Sequence, residues 1–420
     1  MSSSIHLSSS QTSQTTKNKQ DPTVKLRITY SRLSAAYFVL CLISLVFFLC
    51  IDMQAQEHNT RGIAGANTFT MLVLFVLCCA FLKFAVIPDY KAFKPNTTIV
   101  LYLAYMLWIF IPTFGNGIQG SMVEQIMVFV KYCIPLFSLV IPYNYLLNHG
   151  ESKWIGWLFC ISALLFAWFY FKVMMLLLSE TFIPPHMIIS YYVLFTLPLI
   201  MLTCGLKRKI FFILFTTFVL ITSIKRGGIL SLGIGLIMYG IVYGITSKKI
   251  RPSTILAVFA TLTMLVILFF SFANTDDNNL LERFLMLQDD DGSGRTVVWS
   301  VTIQMIEDSD LIPLLMGHGY NAVAQTSSLN MSAHNDFLEI LYDYGIIGFT
   351  LYVCAFMSLV FNCIIHIVRK TQFAGTLTLF MCVYFLLSMI SHVAIYSWFN
   401  IVMLTVGYFF GKSKLDARNE

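Results

Sequence analysis

Residues 274–343 read NTDDNNLLERFLMLQDDDGSGRTVVWSVTIQMIEDSDLIPLLMGHGYNAVAQTSSLNMSAHNDFLEILYD and form the longest polar interruption in an otherwise apolar chain. The stretch is rich in acidic residues and poor in basic ones. It holds one arginine in a glycine-rich turn (Arg295), a Gly-His-Gly turn around His318, and the pair His334 and Asn335. We predict that it forms a structured, water-facing loop between membrane-spanning segments.

The composition of the 420 residues indicates a polytopic membrane protein. The chain is 57% hydrophobic and only 11% charged, whereas a soluble domain has about a quarter charged residues. The net charge of +6 comes from short basic clusters between apolar runs, which is typical of membrane topology and not of nucleic-acid binding. The ten cysteines lie in apolar runs, so we expect neither disulfides nor a zinc site.

Twelve apolar runs approach the ~20 residues that a helix needs to cross a bilayer. They cover residues 33–51, 67–87, 97–112, 122–142, 154–178, 187–204, 210–224, 229–246, 254–273, 345–368, 374–394 and 396–411. The predicted organisation is a disordered cytoplasmic tail at 1–32, nine spans within 33–273, a loop at 274–344, three spans within 345–411 and a tail at 412–420. The N-terminal tail lacks the apolar core of a signal peptide.

Basic residues fall on alternate turns between these spans. With the N-terminus inside the cell, the cytoplasmic turns carry Lys91, Lys94, Lys153, Lys207, Arg208, Lys209, Lys248, Lys249, Arg251, Arg369, Lys370, Lys412 and Lys414. This is the distribution that the positive-inside rule requires. We therefore predict that both termini are cytoplasmic and that the long loop lies on the outer side.

One outer turn departs from this rule. Lys225, Arg226, Gly227 and Gly228 follow span seven, on the side where positive charge is disfavoured. A guanidinium there is well placed for a lipid phosphate, and two glycines predict a tight turn that lets the backbone approach a ligand. The alternative is ordinary contact with lipid headgroups.

Arg295 is the second candidate for binding an anion. It precedes an apolar stretch, 296–307, that we predict to be a helix at the membrane surface with Ser293 as its N-cap. Free N–H groups at a helix start and a guanidinium together suit a phosphate. The alternative is an ion pair with the acidic run 289–291.

His334 is the candidate for handling protons. We predict that Ser332 caps a helix and that His334 lies in its first turn, where the positive helix end favours the neutral imidazole. A neutral imidazole accepts a proton or orients a hydroxyl. The alternative is a polar residue bonded to a backbone carbonyl. Asn335 and Asp336 beside it favour a functional site.

Other polar features are interpreted as structural. For the intramembrane charges Lys83, Glu124, Lys131 and Lys172 a structural role is favoured, and the alternative is a functional one, because charge within a span is costly and often functional. The contiguous aspartates 289–291 are expected to be solvated and not to bind a metal. Tyr344 to Gly348 has the small-residue spacing of a tightly packed helix.

These motifs resemble the O-antigen ligase and O-antigen polymerase superfamily. The resemblance rests on Gly-Arg followed by Trp at 294–299, Gly-His-Gly-Tyr-Asn at 317–321 and His-Asn-Asp-Phe-Leu-Glu at 334–339, which continues to Gly-Ile-Ile-Gly. The outer Arg226 turn and the number of spans add to it. Where the family commonly has Ser-Arg or Thr-Arg, this chain has Lys225 before Arg226.

The resemblance implies an all-α, GT-C-like fold in the bacterial inner membrane with a periplasmic active site. It implies transfer of a glycan from undecaprenyl pyrophosphate, without a metal or other cofactor and without a nucleotide sugar. Arg226 and Arg295 would hold the pyrophosphate and His334 would assist the acceptor. Further substrate contacts are expected from Lys225, His318, Tyr320 and Asn335.

The acceptor is not fixed by these residues. We expect an inverting polymerase of lipid-linked repeat units, since a chain of this size with a compact loop suits O-antigen, capsule and exopolysaccharide systems. The alternative is a ligase that transfers the glycan to the core of lipid A, and a more distant one is a secondary transporter. Expected partners are the lipid-linked donor, the acceptor, membrane lipids and a chain-length regulator, but not nucleic acid.

Overall fold

A computed structural model describes residues 22–58, 61–83, 95–116, 122–181, 188–223, 225–247 and 294–419. The predicted ninth span, 254–273, and the first part of the loop, 274–293, lie outside the described residues. So does the aspartate run 289–291.

The described part of the chain is helical. Its helices are α1 (Pro22–His58), α2 (Arg61–Phe81), α3 (Thr97–Gly115), α4 (Met122–His149), α5 (Lys153–Thr181), α6 (Tyr191–Thr203), α7 (Leu206–Thr222), α8 (Arg226–Thr246), α9 (Arg295–Glu307), α10 (Leu311–Met316), α11 (Ala322–Thr326), α12 (Asp336–Val368), α13 (Ala374–Ile390) and α14 (Phe399–Asn419). A short 3₁₀ turn, Ile188–Ser190, leads into α6.

Among the described residues, six helical stretches are long and apolar enough to cross a bilayer. They are Ala35–Met53, Thr97–Gly115, Met122–His149, Lys153–Met175, Arg226–Thr246 and Asp336–Val368. Shorter apolar helices accompany them at Thr68–Phe81, Tyr191–Thr203 and Ala374–Ile390. The protein is therefore an α-helical polytopic membrane protein, as the composition predicted.

Several boundaries differ from those predicted, among them those of α1 and α13. Helix α1 begins at Pro22, inside the segment predicted to be a disordered tail, because the helix of the first span continues towards the N-terminus. Helix α13 ends at Ile390, four residues before the predicted end of span eleven at 394. Residues 391–398 form a non-helical connection to α14 instead.

The helix bundle has two chemically different ends. At one end, Lys412 donates to Glu151 Oε1 at 2.8 Å and to the carbonyl oxygen of Leu202 at 2.8 Å. We call this the basic end, because the described basic residues Lys209, Lys412, Lys414 and Arg418 lie there. The other end, the loop end, carries the segment 294–335 and the connection 391–398.

Two glycines allow the loop segment to pack closely on α12. Gly317 has φ +99° and Gly345 has φ +70°, a backbone conformation that residues with a Cβ rarely adopt. A Cβ at Gly317 would overlap the carbonyl oxygen of Asp343, and one at Gly345 would overlap that of Leu315. The backbones of the loop and α12 therefore touch directly, and Gly345 interrupts the helical geometry of α12.

The predicted tight packing around Gly348 is confirmed. A Cβ at Gly348 would lie 2.9 Å from Cδ1 of Trp108 on α3, and Trp108 Nε1 donates to the carbonyl oxygen of Tyr344 at 3.0 Å. Nearby, Asn116 Nδ2 donates to the carbonyl oxygen of Gly317 at 2.9 Å. Helix α3 thus holds both α12 and the loop.

Three buried carboxylates on the first turns of α12 fasten the surrounding backbone. Asp336 accepts from Val393 N at 3.0 Å and from Ala394 N at 3.1 Å. Glu339 Oε2 accepts from Ala333 N at 2.7 Å, and Asp343 Oδ1 accepts from Val323 N at 3.0 Å. Buried backbone N–H groups need such acceptors, because an unpaired one costs free energy. The start of α12 therefore fixes both the loop and the connection 391–398.

Candidate active site at the loop end

His334 lies between α11 and α12, half-buried and outside the helix. The N-cap of α12 is Asn335, whose side-chain oxygen accepts from Phe337 N at 2.9 Å. The prediction that Ser332 caps this helix, with His334 in its first turn, is therefore wrong. The physical reason is that an Asn side chain captures the first free N–H groups as well as Ser does, three residues later than predicted.

The backbone of His334 has an unusual conformation. Its φ is +52°, in the left-handed region that a histidine rarely occupies and that costs free energy. The preceding residue is held by the bond from Ala333 N to Glu339, and the following one is the helix cap. Hydrogen bonds on both sides therefore hold the backbone of His334 in this conformation.

A second histidine packs against His334. The ring centroids of His334 and His392 are 4.7 Å apart at an interplanar angle of 38°. His392 is buried, and in the described part of the chain neither of its ring nitrogens has a hydrogen-bond partner. The Trp398 indole donates to the carbonyl oxygen of His392 at 3.1 Å, which fixes the backbone behind the ring.

Positive charges surround this pair of histidines. Burial, followed by the charges of Arg295 and Lys225, lowers the pKa of His334 below its ordinary value. Burial, followed by His334 and Arg295, lowers the pKa of His392. Each effect opposes protonation, so His334 is neutral at pH 7. The neutral imidazole expected from the sequence is supported, although its cause is not a helix end.

Arg295 is the first residue of α9, and the predicted helix over 296–307 is confirmed. The residue at its N-cap is Gly294, with φ +74°, and not Ser293 as predicted. A glycine in the left-handed conformation turns the chain into the helix without a side-chain cap. Arg295 is half-buried and acts electrostatically on His334, His392 and Tyr191.

Arg226 is the first residue of α8, with Lys225 as the residue before it. The predicted glycine turn is wrong, because Gly227 and Gly228 lie within the first turn of the helix. A Cβ at Gly228 would lie 2.8 Å from Cε1 of Tyr191, so the glycines allow helix packing and not ligand approach. Tyr191 thus contacts the start of α8 and lies within the electrostatic reach of Arg295.

The structure gives His318 and Tyr320 other neighbours. His318 stacks on Tyr342, with ring centroids 3.9 Å apart, and its Nδ1 lies 3.1 Å from the carbonyl oxygen of Tyr342. The phenol of Tyr320 accepts a hydrogen bond from Lys131 Nζ at 3.3 Å. Asn335 is occupied as a helix cap. His392 is in ring contact with His334, and Arg295 and Lys225 lie within its electrostatic reach.

His392 was missed in the sequence because it lies at the end of an apolar run that was assigned to a span. A signal was present in its neighbourhood, since Tyr396, Ser397 and Trp398 follow it as polar and amphipathic residues near a helix end. In the described residues, no group of three His, Cys, Asp or Glu side chains is placed to hold a metal ion.

The fold and the site define a polytopic helical membrane protein with a cationic and imidazole-containing site at one end. Residues 210–353 match the family model described as O-antigen ligase. The match covers α8, α9 and the start of α12, which contribute Arg226, Arg295 and the residues after His334. This match supports the resemblance to the O-antigen ligase and O-antigen polymerase superfamily that the sequence motifs indicate. No curated protein matches it.

Proposed function

We propose that the protein transfers a glycan from undecaprenyl pyrophosphate to an acceptor hydroxyl, with His334, Arg295 and Arg226 as the catalytic groups. The observation that carries the proposal is the position of His334. Its imidazole packs on His392 and lies within the electrostatic reach of Arg295 and Lys225, which come from separate helix starts and favour its neutral form. Glycosyltransferase-like chemistry also agrees with the family match.

In the proposed reaction, the acceptor oxygen attacks the anomeric carbon of the donor sugar and forms the new C–O bond. The bond from that carbon to the pyrophosphate oxygen breaks, and the pyrophosphate leaves with the electron pair. His334 takes the proton of the acceptor hydroxyl. Because the displacement is single, the configuration at the anomeric carbon inverts.

The two arginines stabilise the departing pyrophosphate. Charge develops on its bridging oxygen as the bond breaks, and fixed guanidinium groups stabilise such charge without having to reorganise. Each arginine starts a helix, so the N–H groups of its first turn also favour an anion. Lys225 adds a third cation beside Arg226.

We propose polymerisation of repeat units as the biological reaction, at the outer face of the inner membrane. The gathering of basic residues at the end opposite the site supports this orientation, because such residues face the cytoplasm. A compact loop of the size described suits a polymerase. The lipid-linked glycan is then both donor and acceptor.

Deletion and complementation in the native host test this proposal. We expect the deletion strain to retain a single repeat unit on its surface glycan and the wild-type gene to restore long chains. Arg226→Ala and Arg295→Ala should fail to restore them at equal membrane levels of protein. Long lipid-linked chains with none on lipid A in the deletion strain would identify a ligase instead, and unchanged surface polysaccharide with both variants would refute the leaving-group role.

A further inference from the structure

A cavity of ≈ 390 Å³ with polar and apolar lining residues lies at the loop end, among α1, α2, α4 and the loop segment. Its polar lining includes Asp52, Lys131, Asn321, Ser332 and Ser397, and its aromatic lining includes Tyr320. Sites for small ligands have volumes of about 300–1,000 Å³ and a few convergent polar groups among apolar and aromatic side chains. The cavity therefore has the size and lining of a binding site.

Lys131 gives the cavity a cation. The residue lies on α4, a helix long and apolar enough to cross a bilayer, where a charged side chain is costly and often functional. Its Nζ donates to the phenol oxygen of Tyr320 at 3.3 Å and lies 5.4 Å from the centre of the same ring. The loop thus supplies the partner of Lys131.

Asp52 gives the cavity an anion. This carboxylate at the loop end of α1 is buried, and its Oδ2 accepts a hydrogen bond from the phenol of Tyr192 at 2.8 Å. Asp52 and Lys131 interact electrostatically, so the two charges offset one another within the cavity. The lining therefore favours a ligand without large net charge that both donates and accepts hydrogen bonds.

A sugar residue has these properties. Its hydroxyls donate to a carboxylate and accept from an ammonium, and hydrogen bonds to charged groups are worth more than neutral ones. Its C–H faces pack on aromatic rings, of which Tyr132, Tyr320 and Tyr396 line the cavity. A lipid tail would enclose Lys131 and Asp52 without adding a hydrogen bond to either, and a phosphate would bring negative charge next to Asp52.

The cavity adjoins the candidate active site. Ser332, on its wall, is two residues before His334 in the chain. Tyr396, also on its wall, has its ring 5.6 Å from that of His392, which packs on His334. The wall of the cavity is therefore linked to the His334 ring through Tyr396 and His392.

We propose that this cavity binds a sugar residue of the acceptor glycan, with Asp52 and Lys131 as its polar anchors and Tyr320 as an aromatic wall. The assignment to the acceptor rests on the proposed function. Lys131 and Asp52 would decide which acceptor is used, while Arg226 and Arg295 act on the donor.

The test uses the purified full-length protein and lipid-free oligosaccharides released by mild acid from the surface polysaccharide of its own host. Calorimetry measures their binding, and the transfer assay uses them as soluble acceptors. We expect Lys131→Met and Asp52→Asn to weaken binding and raise the acceptor KM about 10-fold or more, with the donor KM unchanged. Lys172→Met is the matched control, because Lys172 is an exposed lysine on α5 outside the cavity.

Tyr320→Phe provides a second variant should the charge variants fail to fold. It removes only the phenol oxygen that Lys131 contacts, and we expect a smaller rise in acceptor KM. Unchanged binding and KM in the folded variants would overturn the proposal, as would a rise confined to the donor KM. A third outcome is that oligosaccharide binding depends on Lys131 but the wild type transfers no glycan. This result would refute the proposed function and support the glycan site.

Discussion

Two regions of the loop segment each contain a histidine, His318 in one and His334 in the other. The surroundings of the two rings differ. His318 lies between two glycines, stacks on Tyr342 and has Ser309 Oγ 3.4 Å from its Nε2. His334 packs on a buried histidine and lies within the electrostatic reach of Arg295 and Lys225. The contacts of the first ring fix the loop, whereas the surroundings of the second suit proton transfer. The role of each histidine therefore follows from its neighbouring residues and not from its residue type.

The largest difference between the two regions should appear in variants of the second. We expect His334→Asn to lower the transfer rate roughly 10²–10⁴-fold, because the group that accepts the proton is removed. Asn is chosen because it tolerates the left-handed backbone of this position better than most residues. The initial rate of glycan transfer by the purified variant measures the effect. A rate close to that of the wild type would remove His334 from the reaction.

A smaller loss is expected from His392→Phe, which keeps an aromatic ring against His334 but removes both ring nitrogens. We expect the rate to fall about 10–100-fold through altered placement of His334, with little change in donor KM. The pH profile separates the roles. A positioning role lowers kcat and leaves the acid limb set by His334 in place, so an unchanged rate or a displaced limb would contradict it.

The pH dependence gives a third test. Since neutral His334 is the active form, kcat/KM should fall as pH decreases through its lowered pKa. Lys225→Met removes a positive charge that disfavours the imidazolium, so the pKa rises and the acid limb moves to higher pH. The pH profiles of wild type and variant measure this. Movement to lower pH, or none, would contradict the electrostatic account.

The smallest effect on chemistry is expected in the first region. His318→Ala removes a ring stack and a hydrogen bond, each worth roughly 0.5–1.5 kcal/mol, so the Tm in detergent should fall. The rate per folded molecule should stay within about 3-fold of the wild-type rate. The ring stabilises the loop, so its loss leaves the activation barrier of glycan transfer nearly unchanged. A loss as large as that of His334→Asn in a folded variant would show that both regions act on substrate.

The helices and the main site residues could be predicted from the sequence because their signals are local. Apolar runs of sufficient length indicate spans, and Arg295 before an apolar stretch indicates a helix start. The break in the charge pattern at Lys225 and Arg226 singled out the start of α8. These features depend on neighbours within one or two helical turns.

The remaining features depend on contacts between distant parts of the chain. Asp336 binds the backbone of Val393 and Ala394, and this holds a non-helical connection where the hydropathy alone predicts a span. His392 is placed in the site by that connection. The left-handed backbone of His334 likewise requires its anchors at Glu339 and in the Asn335 cap. No local pattern encodes such contacts.

We propose that Arg226 and Arg295, which lie at two separate helix starts, act on one pyrophosphate. A double-mutant cycle on the transfer rate tests it most directly, with Arg226→Ala, Arg295→Ala and the double variant assayed with saturating acceptor. We expect each single variant to lose about 100-fold and the double variant to lose much less than the product of about 10,000-fold, because groups that act as a unit are non-additive. Losses that multiply, or single variants with wild-type rates, would contradict a shared site.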